Sequence, residues 1–269
     1  MADRAITSAA NPRLKALVAL RRRRRREEEG RTLLEGYDEL ALALDAGVRP
    51  VELHICPELM ADREAQDDVV RRSRDAGAHV VRLSRAAFEK VAYREGADGF
   101  LAVVPSVGAT PRELSLPEDP LVLIAEGVEK PGNLGAMLRT ADAAGVDAVV
   151  AADPVTDWGN PNVVRSSKGT VFSVPVATAT TAETIAWARE RGIRVVAATP
   201  AATEQHTDVD LTGPVAIAVG TEKEGLTDEA LATADVRVRI PMTGKANSLN
   251  VATSAAIVLY EAVRQRRTR

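Results

Sequence analysis

The chain has 269 residues, of which 45% are hydrophobic, 27% charged and 3% aromatic, with a formal net charge of −3. That length suits one large or two modest domains, and the apolar fraction belongs to a globular rather than a disordered chain. Cys56 is the single cysteine and cannot close an internal disulfide; the three histidines lack metal-ligand spacing, and no apolar run is long enough for a spanning helix. Met1 to Leu20 lacks a signal-peptide core. The expectation is a cytoplasmic protein with no metal and no membrane partner.

In chain order, residues 1–30 read as a basic N-terminal extension. Asn11-Pro12 marks a helix start, and Arg13 to Arg26 continues as a basic helix. It ends in an unbroken arginine run, Arg21 to Arg26, followed at once by Glu27, Glu28 and Glu29. Two readings of the run compete: an RNA-contacting arm, or a solvated helix whose glutamates offset the arginines. Residues 31–104 read as a small α/β domain, with strands at 51–56, 79–83 and 100–104 and helices at 38–46 and 63–76. Residues 105–120 carry Pro105, Pro111, Pro117 and Pro120 and read as a linker.

Residues 121–269 alternate more clearly. Strands are expected near 121–125, 147–151, 171–176, 193–198, 215–219 and 236–240, and helices near 133–144, 160–168, 181–191, 227–233 and 250–266. That alternation predicts an α/β domain with a mostly parallel sheet covered by helices on both faces. The chain closes on more arginine: Arg264, Arg266, Arg267 and Arg269.

Ligands of an open parallel sheet bind beyond the carboxyl ends of its strands, and three segments at such places are rich in glycine and polar residues. Residues 126–145 follow the first strand of the domain; Gly132 and Gly135 let the backbone bend, Asn133 is placed to cap a helix, and Arg139 lies in its second turn. In 219–226, Gly220 and Gly225 bracket Glu222, Lys223 and Glu224, and Thr227 can cap the next helix. In 240–263, a loop holding Asn247, Ser248 and Asn250 leads into a long helix of small residues. None contains a P-loop or a GxGxxG fingerprint, and the chain has no GxSxG nucleophile elbow. Each segment alone reads as a turn or a packing helix.

Together, and in this order, they resemble the signature motifs of the SpoU/TrmH family of the SPOUT superfamily, S-adenosylmethionine-dependent RNA ribose 2′-O-methyltransferases. The first family motif corresponds to Asn133-Leu134-Gly135-Ala136-Met137-Leu138-Arg139-Thr140-Ala141. The second corresponds to Gly220-Thr221-Glu222-Lys223-Glu224-Gly225, and the third to Ile240-Pro241-Met242 with Ser248-Leu249-Asn250-Val251. An intermediate stretch also matches at Arg165, Ser166 and Gly169. Less specifically, Ile6-Thr7-Ser8, Asn11-Pro12 and Leu34-Glu35-Gly36 look like the opening of the ribosomal-RNA branch, which carries an N-terminal RNA-binding domain.

The resemblance implies a deep trefoil knot in 121–269, a homodimer, S-adenosylmethionine as cofactor and ribosomal RNA as partner, with large-subunit 23S RNA as the leading substrate. It implies that Thr199, Gly220, Ile240 and Leu249 bind the cofactor, and that Arg139, Asn133, Glu222, Ser248 and Asn250 form the catalytic set. The family arginine matching Arg139 is often assigned to activating the 2′-hydroxyl. A lone guanidinium, with a pKa above about 12, is a poor base and a good phosphate clamp. Arg139 is therefore read as an orienter, and the general base stays open. A transfer RNA methyltransferase and a non-catalytic RNA-binding protein on the same scaffold are the alternatives. Antibiotic resistance and housekeeping modification both stay open as the biological role.

Overall fold

The structure is a computed structural model and describes residues 4–61 and 63–268. Met1 to Asp3 and Arg269, which the sequence reading included, lie outside the described residues. The chain runs through β1 (Arg4–Ile6), α1 (Pro12–Ala19), α2 (Arg23–Glu29), β2 (Arg31–Glu35), α3 (Tyr37–Asp45), β3 (Glu52–Ile55), α4 (Arg63–Asp75), β4 (His79–Leu83), α5 (Arg85–Val91) and β5 (Phe100–Pro105). It continues through β6 (Leu121–Glu126), α6 (Pro131–Ala144), β7 (Ala148–Ala152), α7 (Pro161–Ser166), β8 (Val176–Ala179), α8 (Thr181–Glu190), β9 (Arg194–Ala198) and β10 (Glu204–Gln205). It ends with β11 (Val215–Val219), α9 (Asp228–Thr233), β12 (Val236–Arg239) and α10 (Val251–Arg267).

Contacts divide the chain into two units: 1–107 with 157–173, and 108–156 with 174–269. Residues 157–173, expected inside the 121–269 domain, thus belong to the first unit. The expected linker is not empty of structure. It holds a short 3-10 turn at Pro111–Glu113, capped by Thr110, and it counts almost wholly with the second unit.

Unit 1 is a five-stranded sheet in the order β1-β4-β3-β5-β2. β5 runs antiparallel to both β3 and β2, and the other pairings are parallel. Residues 4–30 count with this unit. Asn11 caps α1 by accepting from Arg13 N at 3.0 Å, and Leu14, Leu17 and Leu20 join Ile6, Leu83, Phe88 and Leu101 in the core. Each such leucine contributes about 1.5–3 kcal/mol of burial. The expected single helix breaks at Leu20–Arg22 because α1 and the arginine run bury different things.

In α2 the arginines have carboxylate partners within the helix itself. Arg23 pairs with Glu27, Arg24 with Glu28, and Arg25 with Glu29, each one turn apart. Arg26 is the exception at 3% exposure: it holds both Asp157 carboxylate oxygens, at 3.1 and 2.5 Å, and donates to the carbonyls of Leu20 and Arg21. Thr32 Oγ1 donates to Gly159 O at 2.6 Å, so segment 157–173 is bound to α2 and β2 by polar contacts as well as packing. Gly169, at φ +84°, lies against the Glu39 backbone. The expected strand 171–176 becomes a 3-10 turn at Thr170–Phe172, followed by β8.

Unit 2 is a seven-stranded sheet in the order β10-β12-β9-β11-β6-β7-β8, and every pairing is parallel. β6, β7 and β11 are buried at every position, as strands covered on both faces must be. α6 starts with Pro131 at its first position and stops at Gly145 in the left-handed conformation, φ +67°. α10 packs on α6 and β11. No helix among the described residues is long and apolar enough to cross a membrane.

Candidate active site

The carboxyl edge of the parallel sheet gathers the motif segments. Thr199 follows β9, Gly220 follows β11 and Ile240 follows β12, three adjacent strands in register. Gly220 has to be glycine here: a Cβ would stand 2.1 Å from the Gly225 backbone. That approach lets Thr221 N donate to Gly225 O (2.9 Å) and Gly225 N to Thr221 O (3.1 Å), closing a tight turn that projects Glu222. The turn is anchored from below by Glu126, buried at the end of β6. Its carboxylate accepts from Thr227 N and Oγ1 and from Thr181 Oγ1, at 2.7–2.8 Å.

Glu222 is the hub. Its Oε1 accepts from Asn133 Nδ2 at 3.0 Å and from Asn250 Nδ2 at 2.5 Å, and its Oε2 accepts from Lys130 Nζ. Asn250 also donates to Asn133 Oδ1 at 3.2 Å, while its own Oδ1 caps α10 by accepting from Ala252 N and Thr253 N. One carboxylate thus ties together the start of α6, the 220–225 turn and the start of α10. The Lys130 ammonium, and then the amides of Asn133 and Asn250, hold the Glu222 carboxyl below the ordinary carboxylate range. It stays an anion and a weak base, suited to orienting amides rather than taking a proton.

Asn133, expected to cap α6, is instead its third residue; Lys130 occupies the cap position and Asn133 reaches sideways to Glu222. A cleft of about 360 Å³ opens beside the hub, lined by Val128, Glu129, Lys130, Asn133, Glu222, Lys223, Val251 and their neighbours. Lys130 escaped the sequence reading because an exposed lysine before a proline carries no periodic or motif signal. Glu126 escaped it as the last residue of an apolar strand.

The structure joins Asn133, Glu222 and Asn250 but leaves the other two catalytic candidates outside their network. Arg139 lies six residues past Asn133 on α6, which turns it roughly 120° around the helix. Its side chain is exposed and makes no hydrogen bond or ion pair among the described residues. Ser248 sits in the exposed loop before α10, and Leu249 beside it is half-buried. Among the described residues no His, Cys, Asp and Glu cluster could hold a metal ion.

An all-parallel α/β unit with a carboxylate-centred site at its strand ends, joined to a second α/β unit, defines the class. The profile of the SpoU rRNA Methylase family matches residues 120–260, and that of the MRM3-like substrate binding domain matches 11–102. The chain belongs to the SpoU rRNA methylase family. It is 34% identical over 242 residues to the 23S rRNA (guanosine-2′-O-)-methyltransferase RlmB of Ralstonia nicotianae, across 87% of this chain and 96% of that one. It superposes on a crystal structure of an RNA 2′-O ribose methyltransferase with a TM-score of 0.85 at 40% identity, covering 98% of this chain and 100% of the other. An AdoMet-bound rRNA methyltransferase from Sinorhizobium meliloti gives a TM-score of 0.88 at 30% identity, covering 97% of each chain.

Proposed function

We propose that this chain is an S-adenosylmethionine-dependent methyltransferase acting on a ribose 2′-hydroxyl of 23S ribosomal RNA in the bacterial cytoplasm. The observation that carries this reading is the convergence of all three family motif segments on Glu222. Ribosomal RNA is favoured over transfer RNA because the Ralstonia relative, named for 23S rRNA, aligns across most of both units. A non-catalytic scaffold has no use for a carboxylate that orders the ends of three motif segments.

The residues fit the cofactor. Thr199, Gly220 and Ile240 place loop backbone at the ends of adjacent strands, and Leu249 adds an apolar side chain beside the hub. Such loops suit adenine, whose edge is read by amides and carbonyls. The cofactor, when bound, supplies an electrophilic sulfonium methyl. This chain's residues supply placement. Glu222 fixes the amides of Asn133 and Asn250, and Arg139 clamps an RNA phosphate so that the ribose hydroxyl meets the methyl in line. Ser248 contributes a further hydroxyl from the exposed loop before α10 once RNA is bound.

The same reading includes a homodimer and a trefoil knot in unit 2. Tyr260, half exposed on α10, and the unpartnered Arg139 on α6 support a second copy docking over these two packed helices. The test is incubation of the pure protein with labelled S-adenosylmethionine and unmodified 23S RNA, followed by mapping of methylated riboses. One labelled ribose is expected; label absent from 23S RNA but present on transfer RNA moves the substrate, and no label on any RNA overturns the reading.

A further inference from the structure

Unit 1 carries a second polar surface that the Glu222 site does not use. It centres on Tyr93, in the turn between α5 and β5. The chain has only eight aromatic residues, and in unit 1 Phe88, Phe100 and Trp158 are buried while Tyr93 is 38% exposed. The turn around it is nevertheless tied down by hydrogen bonds from both sides. Arg21 Nη2 donates to the carbonyls of Val91 (2.8 Å) and Ala92 (3.0 Å), and its guanidinium carbon stands 5.3 Å from the Tyr93 ring centroid. The Glu35 carboxylate accepts from Tyr93 N (2.6 Å) and Arg94 N (3.2 Å). Glu35 is buried, and that burial pushes its pKa up despite both amides.

A half-buried guanidinium and a buried carboxylate thus hold the backbone on either side of one ring that stays exposed at the surface. Beside the ring, Tyr93, Arg94 and Glu35 share a small cleft with Pro161, Val164 and Arg165. Arg94 turns inward to Glu39 at 3.5 Å and Asp98 at 4.0 Å. The Arg165 side chain is exposed and has no hydrogen bond or ion pair among the described residues.

We propose that Tyr93 and Arg165 form a nucleotide site for single-stranded RNA, in which a base stacks on the tyrosine ring and Arg165 takes the adjacent phosphate. Arg21 acts as the positioning residue that stiffens the ring. Unpaired RNA bases are recognised by stacking on aromatic side chains, and their backbone by unpartnered arginines. A protein partner is the less favoured occupant, since the cleft's apolar residues Leu33, Leu101 and Val164 are buried and leave Tyr93 and Arg165 as its exposed side chains. The polymer's identity rests on the 23S reading above; the site itself does not.

The test uses the full chain and measures its affinity for an oligouridylate and for a deproteinised 23S transcript over a salt series. Tyr93→Ala is expected to weaken both about tenfold, and Tyr93→Trp to restore binding, with unchanged melting and S-adenosylmethionine affinity. Arg165→Ala is expected to weaken binding and to reduce the salt slope by about one. Equal affinities for the parent, Tyr93→Ala and Tyr93→Trp overturn the site. So does a defect seen only with intact ribosomal particles, which assigns the face to a protein. Tyr93-dependent RNA binding without methyl transfer sinks the activity reading and leaves this one standing.

Discussion

Arg23, Arg24 and Arg25 of α2 each end on a glutamate one turn away, whereas Arg139 of α6 reaches solvent with no partner among the described residues. The two regions use the same side chain for opposite purposes. In α2, alternating blocks of charge close on themselves, and the helix presents to an anion a surface already neutralised. On α6, a single guanidinium stands on a helix with its five donors free. An abundance of positive charge in sequence is therefore a poor guide to where an RNA phosphate lands; an absence of nearby carboxylates is the better one.

The sharpest way to break that comparison is Arg139→Ala. The expected outcome is a loss of about 100- to 1000-fold in kcat, as for removal of one preorganised donor, with melting unchanged. Full turnover in this variant removes Arg139 from the chemistry. Next comes a contrast inside the arginine run. Arg26→Ala strands Asp157 and the carbonyls of Leu20 and Arg21, and is expected to cost about 3 kcal/mol in urea unfolding. Arg24→Ala, on an exposed pair, is expected to stay within about 0.5 kcal/mol. Equal effects from the two contradict the division of labour described here.

The smallest effect is confined to acid. Lys130 is the chief cause of the low Glu222 pKa, so the anion persists as pH falls until the lowered value is reached. Lys130→Met lets that pKa rise toward the ordinary carboxylate value. The expected result is near-parental kcat/KM at about pH 7.5 and a severalfold loss only at about pH 4, because the acid limb moves upward. Lys130→Arg is expected to restore it. A uniform loss at all pH values assigns Lys130 to substrate binding instead.

Much of unit 2 was legible in the sequence because its central strands are unbroken apolar runs with glycine and proline between them. β11 falls at 215–219, as read, and the starts of α8 and α9 differ from the reading by at most one residue. Unit 1 was harder. β2 is amphiphilic at its ends, Arg31 and Glu35, and α5 is a single short amphipathic stretch, so neither stood out. In 171–176 the alternation of apolar residues imitates a strand. Gly169 and the tertiary contacts of Thr170–Phe172 decide against it. At the site, the three motifs named Asn133, Glu222 and Asn250, but their mutual hydrogen bonds come from segments as much as 117 residues apart. No local pattern encodes that.

The excursion of residues 157–173 into unit 1 bears on how such a chain is inherited. Cutting at 105–120 separates Arg26 from Asp157 and Thr32 from Gly159, leaving a buried guanidinium and a buried hydroxyl without their acceptors. A recombination event that swapped the first hundred residues for those of another protein would therefore import a module with a missing piece. Successful exchange needs two simultaneous replacements, one of them embedded between β7 and β8. A change that alters the packing of unit 1 therefore has to be matched partly in a segment written between β7 and β8.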